Sequence, residues 1–332
     1  MARVGESPVP RYTRRVSDKP TVLVSEGSDP APLEWLKERA NVLEIPFNDP
    51  SFESHLPNVD GLVIRTYTRV NDALLEKAPR LRVVGRGGVG LENIDLDACR
   101  RRGVRVVYTP NANTNAVGDY VFGVLLRLVR DWVFLDRVNL PDMRQFKRVR
   151  DQIRGRQLDE LTLGILGMGR VGRRVGRIAA MGFGMRVIYN DLLDVSALLD
   201  FPATSVDKDT LYRASDVLSI HVDMRPGNAN LVGRAQLALM KPSAILINAS
   251  RGEVLDAGGL ADALRGKRLA AAALDVYHPE PPPSDFPLLG MPNVLLTPHL
   301  ASRTWTATSN MSWVVRDVIA VLEGREPSWA AV

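Results

Sequence analysis

The sequence predicts an α/β protein made of two doubly wound parallel-sheet units. Three observations predict it. Short apolar runs alternate with helical patterns from Thr21 onward, the rhythm of successive βαβ units. That rhythm starts twice, at "TVLVS" (21–25) and at "LTLGILG" (161–167), with a long helical stretch and a polar, Arg-rich connection between them. Each series also carries one G-x-G-x-x-G motif, "GRGGVG" at Gly85–Gly90 and "GMGRVG" at Gly167–Gly172.

Taken in order, "TVLVS", "GLVIR" (61–65) and "RVVG" (82–85) read as buried strands. The patterns 32–40, 71–78 and 95–103 read as the helices between them, and "VRVVYT" as the strand after the last. A long helix is expected from about 115 to 131. The second series continues through "MRVIYND" (185–191), "SDVLSIHV" (215–222), "SAILINAS" (243–250), "LAAAALDV" (269–276) and "NVLLTPH" (293–299). A single closing helix is expected from about Thr304 to Glu323.

The 332 residues suffice for two domains with cores of their own, and 45% apolar with 24% charged residues is an ordinary globular composition. No run approaches the ~18 apolar residues of a membrane span. The N-terminus has no apolar h-region and reads as a loosely ordered extension over residues 1–19 rather than a secretory signal. Cys99 is the only cysteine, which excludes an internal disulfide or CxxC motif and fits a reducing, cytoplasmic setting. No metal site is expected. The net charge is +5 and the pI near 9.5, but the cations are interspersed with acids. The densest run, Arg144 to Arg156, reads as a solvated helix face, so neither nucleic acid nor membrane is expected as a partner.

A dinucleotide site needs a strand before its glycines, a helix starting within them, and an acid at the end of the next strand. "GMGRVG" meets each requirement: "LTLGIL" precedes it, Val171, Val175, Ile178 and Ala179 stripe the helix, and Asp191 stands nineteen positions past Gly172. Gly167 permits the tight turn, Gly169 the close approach of a pyrophosphate, and Gly172 the packing of helix on strand. Nineteen residues past Gly90 lies Thr109, and no acid ends that strand. "GRGGVG" is therefore either a packing turn or a nest of amides for a smaller anion such as a carboxylate. Asp191 predicts NAD over NADP, because a carboxylate repels a 2′-phosphate.

Ligands of open parallel sheets bind beyond the carboxyl ends of the strands. His221, Arg251, Glu280 and His299 all follow strands of the second series. Hydride transfer at a hydroxyl-bearing carbon needs a base, a cation for the substrate anion and a partner that tunes the base. Histidine titrates near neutrality, a neighbouring carboxylate favours its charged form, and arginine grips a carboxylate with two parallel bonds. His55 and His278 read as structural.

These residues lie in motifs that resemble the D-isomer-specific 2-hydroxyacid dehydrogenases, phosphoglycerate dehydrogenase-like, from about Thr21 to Arg325. The motifs are "RGGVGLENIDLDACRRRGVRV", "LGILGMGRVG", "MKPSAILINASRGEVLD", "AAALDVYHPEP" and "NVLLTPHLAS". The resemblance implies two Rossmann-like domains: an NAD-binding domain over 118–300, inserted in a discontinuous, flavodoxin-like substrate domain of 20–117 and 301–332. It implies a cleft between them, a homodimer joined through the nucleotide domains, and no C-terminal regulatory domain. It makes Arg251 the substrate clamp, His299 the acid/base and Glu280 its partner. It assigns the cofactor to Gly167, Gly169, Arg170, Val171, Gly172, Asp191, His221, Ala249 and Asp275, the last at the nicotinamide amide. Substrate contacts fall to Arg65 and Thr66, and to backbone at Gly87, Gly88 and Val89.

Four departures from the family pattern bear on preference: "AVGD" at Ala116–Asp119, "VDM" after His221, one extra residue before "FGMRV", and "ASRT", which brings in Arg303. The substrate's side chain is left open, resting on the pocket around Arg65, Gly88, Asn113 and Arg303. The expected activity is NAD-dependent interconversion of a small D-2-hydroxy acid and its 2-oxo acid, of the 3-phosphoglycerate or glyoxylate/hydroxypyruvate type. The alternatives are an NAD-sensing, partner-binding corepressor-like protein, and an amino-acid dehydrogenase of similar design.

Overall fold

The computed structural model describes residues 19–135, 141–225 and 227–332; the expected N-terminal extension lies, but for Lys19, outside them. Two compact units emerge. The first comprises the described part of Met1–Gly87 with Asn93–Tyr108 and Ser312–Val332, and the second Gly88–Glu92 with Thr109–Met311. The units part at Tyr108/Thr109 and Met311/Ser312, where the sequence reading drew its lines after 117 and 300.

The first unit carries five parallel strands, β1 (Thr21–Val24), β2 (Asn41–Glu44), β3 (Gly61–Ile64), β4 (Val83–Arg86) and β5 (Arg105–Tyr108), in the order 2-1-3-4-5. Between them run α1 (Pro30–Lys37), α2 (Phe52–His55), α3 (Asp72–Lys77) and α4 (Leu96–Arg101). Their starts are written in the sequence. Asp29, Asn71 and Asp95 cap α1, α3 and α4 by accepting first-turn amides, and Pro30 supplies the preset φ at the first helical position.

The second unit opens with α5 (Thr114–Leu128) and α6 (Met143–Gln152), then alternates strands and helices. Its strands are β6 (Thr162–Leu166), β7 (Arg186–Asn190), β8 (Thr204–Ser205), β9 (Val217–Ile220), β10 (Ile245–Asn248), β11 (Ala271–Leu274) and β12 (Val294–Leu296). The helices are α7 (Arg170–Phe183), α8 (Lys208–Ala214), α9 (Arg234–Leu239), α10 (Ala257–Arg265) and α11 (Trp305–Ser312). All seven strands are parallel, in the order 12-11-10-9-6-7-8. Strand residues alternate between two cores. Leu163, Ile165 and Ile247 face one that includes Val121, Leu125, Val175 and Ala179, while Leu166, Leu218, Leu246 and Leu274 face one that includes Leu211, Leu237 and Leu260.

The chain then returns to the first unit as α12 (Val315–Leu322). Val314, Val315, Val318, Ile319 and Leu322 bury against Val22, Val63, Val83 and Val107. Gly85 makes room for this: a Cβ there would overlap Val318.

One expectation needs correction, and two strands carry no sequence signal. The closing segment is two helices, not one from Thr304 to Glu323; they break at Trp313, whose ring meets Trp35 edge-on at 6.1 Å and carries Arg316 over its face. Strand β2 was not anticipated because its burial pattern is exposed–half–half–exposed, with no strong apolar run. The two-residue β8 is wholly exposed and equally unmarked. Cys99 is buried in α4 and burial pushes its thiol up to about 11, which makes it structural. Among the described residues no helix is long and apolar enough to cross a membrane.

Candidate active site

In the second unit the strand order reverses between β6 and β9, so their carboxyl ends flank a crevice. The "GMGRVG" turn follows β6 and His221 follows β9, and the two are joined by the His221 N–H, which donates to Leu166 O at 2.8 Å. Gly167 sits at φ +95°, a conformation side chains rarely adopt. A Cβ on Gly172 would overlap Gly167 O, so the third glycine sets the approach of α7 to its strand. A Cβ on Gly169 would meet only open space, which leaves the first turn of α7 accessible to a phosphate-bearing ligand. Arg170 and Val171 begin that turn. Asp191 follows β7 and accepts from Met168 N at 2.7 Å and Leu193 N at 3.0 Å, which ties the acid to the glycine turn. A bared helix N-terminus, an accessible cradle and a strand-end carboxylate fit a dinucleotide.

His221 hydrogen-bonds through Nε2 to the Ser219 hydroxyl at 2.8 Å, and burial pushes its imidazole down to about 4. It is therefore a neutral ring at physiological pH. Ala249, half-buried, follows β10, and Arg251 comes two residues later.

His299 and Glu280 meet: His299 Nδ1 and Glu280 Oε1 are 2.6 Å apart. Both side chains keep about a third of their surface exposed (37% and 30%), so Nε2 is the ring atom left to exchange a proton with a ligand. The loop holding His299 is organised from beneath by Asp275. That fully buried carboxylate accepts from the Thr297 hydroxyl at 2.6 Å, Leu300 N at 2.8 Å and Ala301 N at 2.7 Å. Thr297 in turn bonds the Tyr120 hydroxyl at 2.7 Å. His299 itself lies at φ +51°, in the left-handed region, and its N–H donates to Asp275 O and Thr297 O. Backbone strain of this kind persists where surroundings over-determine it.

Arg251 is held in plane by Glu92, with Nε to Oε1 at 2.8 Å and Nη2 to Oε2 at 3.2 Å, and its Nη1 donates to Ser250 O at 2.7 Å. Sequence reasoning missed Glu92. It sits in a motif read for its glycines and its family resemblance, and no spacing rule links positions 92 and 251. Gly88, at φ +150°, and Val89 belong to this same unit.

Arg65, Thr66 and Gly87 belong to the first unit. Its strand order reverses between β1 and β3, and Glu26, just past β1, occupies that switch point. Its carboxylate accepts from the amides of Arg65 (3.0 Å), Thr66 (2.9 Å), Tyr67 (3.1 Å) and Thr68 (2.9 Å), and from the Thr68 hydroxyl (2.8 Å). Burial pushes Glu26 up, but the amides of Thr68, Tyr67 and Arg65 and the Thr68 hydroxyl outweigh it, and the carboxyl ends below its ordinary range. The Gly87 amide donates to Ile64 O at 2.9 Å, and its carbonyl accepts from Arg86 Nη1 at 3.0 Å.

Residues 122–301 match the family model of the D-isomer specific 2-hydroxyacid dehydrogenase NAD-binding domain. A D-3-phosphoglycerate dehydrogenase of Archaeoglobus fulgidus is 32% identical over 91% of this chain, which spans 57% of that protein. The chain thus covers little more than half the length of such relatives. A glyoxylate reductase of Aeropyrum pernix is 35% identical over 93% of this chain and 95% of its own. The crystal structure of D-lactate dehydrogenase from Aquifex aeolicus, complexed with NAD and lactic acid, superposes with a TM-score of 0.77 at 27% identity, over 92% of this chain and 96% of that one.

Proposed function

The chain belongs to the D-isomer specific 2-hydroxyacid dehydrogenase family, and we propose that it interconverts a small D-2-hydroxy acid and its 2-oxo acid with NAD, of the 3-phosphoglycerate or glyoxylate/hydroxypyruvate type. The observation that carries this reading is the 2.6 Å pairing of His299 Nδ1 with Glu280, in the unit that also holds the dinucleotide fingerprint and Arg251.

In this reading Gly167, Gly169, Arg170, Val171 and Gly172 cradle the pyrophosphate, Asp191 takes the ribose hydroxyls, and His221, Ala249 and Asp275 line the way to the nicotinamide. The nicotinamide, when bound, accepts or supplies the hydride. Arg251 grips the substrate carboxylate and polarises the carbonyl oxygen. His299 Nε2 gives that oxygen its proton in reduction and takes it back in oxidation, while Glu280 fixes the ring's tautomer and direction. Arg65 and Thr66, with the turn at Gly87, Gly88 and Val89, complete the substrate contacts. Asp191 disfavours a 2′-phosphate, hence NAD over NADP.

A homodimer joined through the nucleotide-binding unit is part of the proposal. The exposed Trp132, Phe134, Met143 and Phe146, the last two on a helix with no buried residue, support it. A buried, unpaired thiol at Cys99 is consistent with a reducing, cytoplasmic setting.

The test is NADH oxidation with glyoxylate, hydroxypyruvate, 3-phosphohydroxypyruvate and pyruvate. Turnover of at least one is expected, and silence with all four overturns the reading. His299→Ala should lower kcat by about 10²–10⁴ with NADH affinity retained.

A further inference from the structure

Glu92 has no part in the roles above, yet it makes two of the three hydrogen bonds of the proposed substrate clamp. A guanidinium carries five N–H donors in one plane. Arg251 gives one from Nε and one from Nη2 to the two oxygens of Glu92, and one from Nη1 to Ser250 O. One donor is left on each terminal nitrogen. These two can close in parallel on a carboxylate or on a carboxylate and its adjacent carbonyl.

The second glycine motif is shaped around this pair. A Cβ on Gly90 would overlap both Arg251 Nη2 and Glu92 Oε2, so its last glycine keeps space for an ion pair rather than for helix packing. The same unit contains all of these atoms, since Gly88–Glu92 packs with the second unit although it follows a strand of the first.

We infer that Glu92 is a positioning residue for the reduction: it holds the Nε edge of Arg251 so that the outer pair of donors faces the substrate. The inference rests on the proposed function, because it presumes that Arg251 binds a 2-oxo acid. Charge and position make opposite forecasts here. A carboxylate beside an anion site repels the anion, so if Glu92 acted only by its charge, its removal would strengthen substrate binding. If it acts by holding the guanidinium, removal weakens binding despite the relief of repulsion.

Glu92→Gln keeps the volume and removes the charge. With the best 2-oxo acid of the panel, kcat/KM should fall roughly tenfold or more, chiefly through KM, with NADH affinity and the pH profile of kcat unchanged. Inhibition by oxamate, which sets a carboxylate beside a carbonyl and is not reduced, should weaken by a similar factor. Gly90→Ala, whose new methyl pushes on the flexible end of Arg251, should shift KM and oxamate in the same direction and serves if Glu92→Gln fails to fold. Equal or higher kcat/KM in a folded Glu92→Gln protein overturns the positioning role while leaving the proposed function standing. A wild-type chain inert toward every 2-oxo acid overturns that function and this inference with it.

Discussion

The two histidines at strand ends of the second unit differ in what surrounds them. His299 keeps about a third of its surface exposed and is bonded to a carboxylate, whereas His221 is bonded to a hydroxyl and held near 4 by desolvation. A ring held neutral down to about pH 4 cannot produce an ionisation near neutrality. His221→Gln should therefore leave any near-neutral limb of the kcat/KM pH profile in place, and His299→Gln, which loses the paired imidazole, should remove most of the turnover. The stability effect has a defined sign. The folded value of His221 lies below the ordinary ~6.5, so below that pH the unfolded chain binds the extra proton and is favoured. Stability of the wild type should decline between about pH 6.5 and 4, and His221→Gln should flatten that decline in denaturant titrations at pH 7 and pH 5. Sequence position told the two rings apart only by motif; the carboxylate that His299 meets, nineteen positions away, is brought there by the fold.

At the scale of elements, the Glu26 clamp turns one carboxylate into the organiser of the Arg65–Thr68 loop. Its folded pKa is depressed, so its contribution is complete above the usual carboxylate value, about 4.3, and is lost as pH falls through the folded value. Glu26→Gln can accept on one oxygen only. Faster amide exchange at Arg65–Thr68 is expected at neutral pH, with a several-fold rise in substrate KM; unchanged exchange would show that the loop holds itself. Helices with a polar cap and an apolar stripe were legible in the sequence, α3 and α4 among them. Strand β2 and the break at Trp313 were not, because an edge strand needs no apolar run and a helix break made by indole packing has no local signature.

Across the whole molecule, the first unit is discontinuous: α12 seals a core whose other members, Val22, Val63 and Val83, come from the start of the chain. Truncation before Ser312 should expose that face of the sheet. Amide protection in β3 and β4 should collapse, while NADH binding, which the second unit supplies, should survive; retained protection would mean the sheet does not depend on α12. By itself the sequence determined the two parallel-sheet units, the fingerprint from Gly167 to Asp191, and the strand-end places of Arg251, Glu280 and His299, because those features are local and periodic. Tertiary structure alone decided the rest. The seating of α12 on Gly85, the hold of Asp275 on the His299 loop and the pairing of Glu92 with Arg251 join residues up to more than two hundred positions apart, and no periodicity along a chain encodes which distant side chains will meet.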